Sequence, residues 1–195
     1  MAIAPSQPLS LETFLQDPDV DESPAWEYIN GDRHQKPMPK GKHSRIQLKL
    51  CDRINEVGEP QKRVCAFPEL RCTFGGRSIV PDIAVFTWPR IPFDPDGEVP
   101  QDFLLPPDWM IEILSPEQST NRIIGKVLAC LQQGCQLGWL IDPSDRSVLV
   151  LRQGQPPELF QGSEPLPVLE KAPIAPLTLA LGAETIFGWL KMGGF

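Results

Sequence analysis

One unit of this chain leaves little topological freedom. Residues 108–114 read as a strand, Ser115-Pro116 turns the chain, and Ser119 or Thr120 caps a helix that runs to about Gln133, where Gly134 ends it. Residues 136–141 then read as a second strand. A strand–helix–strand run of this kind is a crossover, so its two strands are expected to lie parallel in one sheet with a right-handed connection. Asp142-Pro143-Ser144-Asp145 turns the chain again, and residues 146–152 return antiparallel. The result is a mixed sheet with buried central strands and helices packed on it, an α/β (α+β) architecture.

The other segments fit around that unit. Ser10 starts a short helix ending near Gln16, with Glu12 in its first turn. Trp26-Glu27-Tyr28-Ile29, Asn30-Gly31 and Asp32-Arg33 form a hairpin signal, because Asn-Gly suits a type I′ turn. Residues 42–57 carry Ile46, Leu48, Leu50, Ile54 and Val57 before Gly58, which predicts a helix. Residues 64–74 and 78–86 read as two strands of a hairpin closed by Gly75-Gly76. Residues 88–107, rich in Pro, Asp and Gly, predict a long surface loop of the kind that often carries function. Beyond residue 152 a Pro-rich connection with one more short strand leads to a closing helix over residues 184–192. The 195 residues fit one domain, with a core over about residues 20–152 and a C-terminal extension over residues 153–195.

Composition narrows the functional classes. No run reaches the roughly 18 apolar residues of a membrane span, and residues 1–6 lack a basic start followed by an apolar core. A cytoplasmic protein is expected. The cysteines Cys51, Cys65, Cys72, Cys130 and Cys135 form no CxxC pair, so buried free thiols are expected and a zinc site is not. A net charge of −7 argues against a protein held on nucleic acid by bulk electrostatics. One stretch runs against that balance. Arg33, Lys36, Lys40, Lys42, Arg45 and Lys49, with His34 and His43, precede Cys51 without an intervening acid. It is either a solvated loop and helix face or a local nucleic-acid patch. No glycine-rich phosphate loop, dinucleotide fingerprint or nucleophile elbow is present.

The chemistry points to two acids in otherwise apolar strands, Asp82 in Val80-Pro81-Asp82-Ile83-Ala84-Val85-Phe86 and Glu112 in Trp109-Met110-Ile111-Glu112-Ile113-Leu114. Burying an ionised carboxylate without a partner costs several kcal/mol or forces it to take up a proton. Strand alternation puts Glu112 on one face with Met110 and Leu114, and Asp82 on one face with Ala84. Pro81 cannot donate to a ladder, which marks a sheet edge or a strand start at Asp82. Two such acids on neighbouring strands suit a hard cation that completes its shell with water and phosphate. The competing reading is a local hydrogen bond for Asp82 and an ion pair with Arg71 or Arg77 for Glu112. Trp88, Trp109 and Trp139 are expected in packing rather than in base stacking.

Pro81-Asp82 followed by Glu112-Ile113-Leu114 resembles the PD-(D/E)XK nuclease pattern. The wider frame adds Trp26-Glu27-Tyr28-Ile29-Asn30-Gly31-Asp32, His43, Ser115-Pro116, and Gly134 through Trp139-Leu140-Ile141-Asp142-Pro143. It resembles the cyanobacterial-type "putative restriction endonuclease" family of that superfamily over roughly residues 10–192. The resemblance implies a restriction-endonuclease-like core and hydrolysis of DNA phosphodiester bonds with Mg2+, or Mn2+ in its place. It further implies Asp82 and Glu112 as metal ligands, Glu27 as an auxiliary acid, and a homodimer. No membrane partner is expected.

The chain departs from the pattern at Leu114, where the third signature residue would be Lys. The resemblance then looks to the following helix, where Arg122 and Lys126 share a face. Lys126 is the expected catalytic cation, since an ammonium can shift its pKa and a guanidinium cannot act as a base. Lys40, Lys42, His43, Arg45 and Arg122 are the expected nucleic-acid contacts. The alternative function is a nuclease-fold module without efficient catalysis that binds DNA or a protein partner.

Overall fold

The computed structural model describes residues 9–116, 118–169, 177 and 179–193. In chain order the elements are α1 (Leu11–Leu15), β1 (Trp26–Ile29), β2 (Asp32–Gln35), α2 (Gly41–Gly58), β3 (Val64–Pro68), β4 (Cys72–Phe74), β5 (Arg77–Ile79), β6 (Ile83–Thr87), β7 (Trp109–Ile113), α3 (Thr120–Gln132), β8 (Leu137–Asp142), β9 (Ser147–Arg152), β10 (Glu158–Phe160) and α4 (Ala183–Gly188). Six strands build the main sheet in the order β10-β9-β8-β7-β6-β3, and four build a smaller sheet in the order β2-β1-β5-β4. β7 and β8 are parallel, as the crossover requires, and their sheet neighbours pair antiparallel. The architecture is the expected mixed sheet flanked by helices.

Alternation along the central strands divides the interior in two. Ile83, Val85, Trp109 and Ile111 face α2, whose Ile46, Leu50 and Ile54 are fully buried among them. Ala84, Phe86 and Met110 face the other way, toward Val127, Cys130 and Leu131 of α3. Gly138 on β8 lets α3 approach closely, because a Cβ there would collide with Cγ1 of Val127. Trp109 and Trp139 pack edge to face in the α2-side core, with ring centroids 4.6 Å apart. Trp88 is half-buried beside Phe93.

The segments around Gly75-Gly76 differ from the simple hairpin expected. Each arm breaks in the middle, at Glu69, which takes the left-handed conformation at φ +48°, and at Pro81. The tip, β4 and β5, joins the small sheet, while the base, β3 and β6, joins the main sheet. Asp82 therefore stands at the junction of the two sheets, immediately before β6. A missing backbone donor at Pro81 ends one ladder before the next begins.

The 88–107 loop is also less superficial than its composition suggests. Phe103 is fully buried, with its ring centroid 5.5 Å from Phe67 and 5.0 Å from Phe86, and its carbonyl accepts from Thr73 N. Asp108 fastens the loop's root, bonding to Thr87 and Arg90 at its start and to Gln136 ahead of β8. The closing helix starts one residue before the expected 184 and ends four before the expected 192, spanning Ala183–Gly188, and α2 holds it through Arg45 Nε donating to Trp189 O at 3.2 Å. Four of the five thiols are buried and Cys65 is half-buried. Among the described residues no helix is long and apolar enough to cross a membrane.

Candidate active site

β6 and β7 pair with Ile83 opposite Ile111. Continuing that register by one residue sets Asp82 opposite Glu112, and both are 1% exposed. Glu112 shares Met110's face of β7, which is the face covered by α3. From α3, Lys126 reaches down to the sheet, its Nζ 2.8 Å from Glu112 Oε1 and 2.8 Å from Glu27 Oε1. Glu27 belongs to β1 of the small sheet, and its Oε1 also accepts from Val80 N at 2.8 Å.

Asp82 is gripped from every side. Lys36 Nζ donates to Oδ1 at 2.7 Å and to the Val80 carbonyl at 2.8 Å. His43 Nε2 lies 3.0 Å from Oδ2, which also accepts from Ile113 N at 2.7 Å. Gln47 Nε2 holds the backbone carbonyl of Asp82 at 2.8 Å. Two sheets and two helices thus each contribute to one buried cluster of three carboxylates, two ammonium groups and an imidazole.

The electrostatics separate the two acids. Burial alone would raise the pKa of Asp82, but Lys36 and then His43 outweigh it and hold the carboxyl well below the usual carboxylate range. Glu112 behaves in the opposite way. Burial pushes it up to about 8, with the negative charges of Asp82 and Glu27 adding to the effect and Lys126 opposing it. Burial works against the charged form of Lys126 as well, yet Glu112, Glu27 and Asp82 together hold it above the usual lysine range. Lys36 is held raised in the same way, chiefly by Asp82 against burial. The three acids around Lys126 thus favour its charged form.

Asp82, Glu112, Glu27 and Lys126 are brought together, with His43 beside Asp82; Lys40, Lys42, Arg45 and Arg122 lie outside the cluster. His43 does not face solvent as a phosphate contact. It lies in the first turn of α2 on the inward side, buried against Asp82, because the helix starts beside the sheet junction. Arg45 is half-buried and spends Nε on Trp189 O. Lys40, Lys42 and Arg122 are exposed. Arg122 stands at the mouth of a cleft of about 300 Å³ that is also lined by Glu27, His34, Lys36 and Ser119. Glu112 pairs with Lys126 rather than with either arginine, since Arg71 is committed to Asp21, Ser78, Val20 O and Trp26 O, and Arg77 to Asn30 and Gly75.

Lys36 is the site residue that the sequence reading left in the general basic stretch. A signal for it existed. The two-residue turn at Asn30-Gly31 fixes Glu27 opposite His34, and alternation then puts Lys36 on the same face. The Lys36 N–H continues the ladder by donating to Ala25 O at 2.9 Å.

The donor chemistry suits a hard divalent cation. Asp82 and Glu112 offer carboxylate oxygens from adjoining strands, with Glu112 Oε1 2.8 Å from the Lys126 ammonium. Among the described residues no group of three or more His, Cys, Asp or Glu side chains is placed to hold a metal ion, so the two strand acids would have to hold it between them. An ion held here would complete its shell with water and substrate oxygens, as Mg2+ ordinarily does.

A mixed sheet flanked by helices, with opposed acids on neighbouring strands and lysines around them, is a restriction-endonuclease-like architecture. The family described as "Uma2: Putative restriction endonuclease" matches residues 11–181, and the chain belongs to that family. Among solved structures it is similar to "a putative nuclease belonging to DUF820" from Anabaena variabilis, with 47% identity, a TM-score of 0.88, and coverage of 94% of this chain and 99% of that one. No curated protein matches.

Proposed function

We propose that this protein is a Mg2+-dependent endonuclease that hydrolyses DNA phosphodiester bonds. One observation carries the reading: Asp82 and Glu112 meet across two neighbouring strands in a buried cluster whose acids outnumber its ammonium groups. Structural acids in a protein interior are normally paired off completely. Asp82 and Glu112 would hold the ion, Mn2+ substituting for Mg2+. When bound there, the ion would activate a water and offset charge developing on phosphate oxygens.

The protein's own groups prepare that position. Lys36, His43 and the Ile113 amide keep Asp82 ionised and oriented. Lys126 ties Glu112 to Glu27, so that the auxiliary acid sets the position of a ligand rather than floating on its hairpin. Exposed Lys40, Lys42 and Arg122 supply positive charge for the backbone phosphates that flank the cut. Cutting both strands of a duplex calls for two such sites, which a homodimer provides; light scattering on the purified protein tests that stoichiometry.

Supercoiled plasmid incubated with Mg2+ should be nicked or linearised, and Asp82→Ala and Glu112→Ala should abolish the reaction. Undiminished cleavage by a folded, contaminant-free Asp82→Ala protein would sink the proposal. Leu114 in place of lysine supports a second reading, a nuclease-fold module that binds DNA or a protein without cutting. That reading expects salt-sensitive DNA binding and no product with any divalent metal.

A further inference from the structure

We infer that Lys36, and not Lys126, is the cation that meets the scissile phosphate; this rests on the nuclease reading above and adds the substrate-facing residue to it. The two lysines differ in what they face. Lys126 is 4% exposed and sits between two buried carboxylates, 2.8 Å from each. Moving its ammonium toward a substrate would strip both acids of their counter-charge, which buried carboxylates tolerate poorly. It does not line the cleft.

Lys36 forms part of the cleft wall, with Arg122 and His34 beside it. Its ammonium carries three N–H donors. Two are spent, on Asp82 Oδ1 and on the Val80 carbonyl. The third has no partner among the described residues, and Lys36, itself only 9% exposed, is one of the residues that line the cleft. Lys36 therefore stands between the cleft and Asp82. A phosphate oxygen entering there would share one ammonium with the acid proposed to hold the metal, at no cost to the contacts that keep Asp82 in place. Arg122, which is exposed, and His34 line the same cleft beside Glu27. Lys126 is then a positioning residue that acts on the phosphate only through Glu112 and Glu27.

Salt-dependent DNA binding separates the two roles. Each lost phosphate contact lowers the slope of log affinity against log salt by about 0.9 on duplex DNA. Affinity for a fluorescent duplex should be measured from 50 to 200 mM salt, as an experimental range, with Ca2+ present to limit cleavage. Lys36→Met should reduce the slope by about 0.9, and Lys36→Arg should restore it. Lys126→Met should leave the slope unchanged while reducing turnover with Mg2+. A reduced slope in Lys126→Met with a normal slope in Lys36→Met overturns the assignment, and so do unchanged slopes in both. If Lys36→Met does not fold, the same comparison is made between Asp82→Asn and Asp82→Asn/Lys36→Met, where the buried pair is removed together. If the wild-type protein neither binds nor cuts DNA, the nuclease reading fails first, before any variant is compared, and the inference falls with it.

Discussion

Two buried acid centres lie at opposite ends of the same strand. Asp108 immediately precedes β7, and Glu112 lies near its far end, facing Asp82. Both ends are equally buried, yet their chemistry differs. Each oxygen of Asp108 is paired: Oδ1 with Arg90 at 2.5 Å and Gln136 at 2.9 Å, Oδ2 with the Thr87 amide at 2.7 Å and its hydroxyl at 2.8 Å. The Glu112 end holds three carboxylates against two ammonium groups and an imidazole, with Lys126 shared between Glu112 and Glu27 and a Glu112 carboxyl pushed up to about 8 chiefly by burial. One centre is complete and fastens a loop. The other shares its cations among three acids, and burial disfavours the charged form of one of them. Burial alone identifies neither; the balance of partners does.

The comparison breaks most readily at the Glu112 end. Asp82→Ala and Glu112→Gln should each lower Mg2+-dependent cleavage by about 100-fold or more, the scale on which removal of a preorganised electrostatic group is felt. Asp108→Asn should leave the rate per folded molecule near wild type. A comparable loss of turnover in folded Asp108→Asn would erase the distinction between the centres.

Stability should show the reverse ranking. Asp108→Asn gives up charge-assisted hydrogen bonds worth about 2 kcal/mol after allowance for the partly exposed Arg90, which for a chain of this size is a fall in melting temperature of about 4–8 °C. Glu112→Gln should cost less, since burial pushes that carboxyl up to about 8 and so already favours its uncharged form at neutral pH. Thermal melts of the two variants at neutral pH, without divalent metal, decide the point.

The pH dependence has a sign for each acid. Glu112 is raised in the folded state, so its contribution to stability is complete below its ordinary value near 4.5 and is lost as pH rises through about 8. Asp82 is depressed, so its contribution is present above its ordinary value near 3.8 and is lost on acidification. Between pH 5 and 8 the metal-free wild type should therefore lose stability relative to Glu112→Gln. Over the upper part of that window Mn2+ should bind more tightly as Glu112 gives up its proton, by at most about tenfold per pH unit. Titration calorimetry at several pH values reads this directly, and pH-independent Mn2+ affinity would remove Glu112 from the ligand set. The smallest effects belong to the surface. Lys40→Ala and Lys42→Ala should each flatten the salt dependence of DNA binding by no more than about 0.9, with the melting temperature unchanged.

Much of this was legible from the sequence, for physical reasons. The crossover from residue 108 to 141 follows from local stop signals and an apolar period, and β7, α3 and β8 appear where those signals place them. Asp82 and Glu112 stand out because an acid among Ile, Val and Met is costly unless something claims it. What escaped depends on distant partners. Lys36 meets Asp82 across 46 positions, and Lys126 meets Glu27 across 99, so neither contact leaves a mark in its own neighbourhood. His43 reads as a surface basic residue until the start of α2 is seen to abut the sheet junction. The break at Glu69 is invisible for a different reason: nothing in a glutamate announces a left-handed backbone.

The bent hairpin that divides its base and tip between two sheets has a consequence for when the protein becomes competent. A chain that has formed only its main sheet already carries Asp82 and Glu112, but Glu27 and Lys36 arrive with β1 and β2, and Lys126 with α3. Contacts so distant along the chain close late, because the loop entropy must be met before they form. Asp82 would lack Lys36, and Lys126 would lack Glu27, until both sheets have docked. A half-folded chain would carry the two strand acids without the full set of cations that holds them in place.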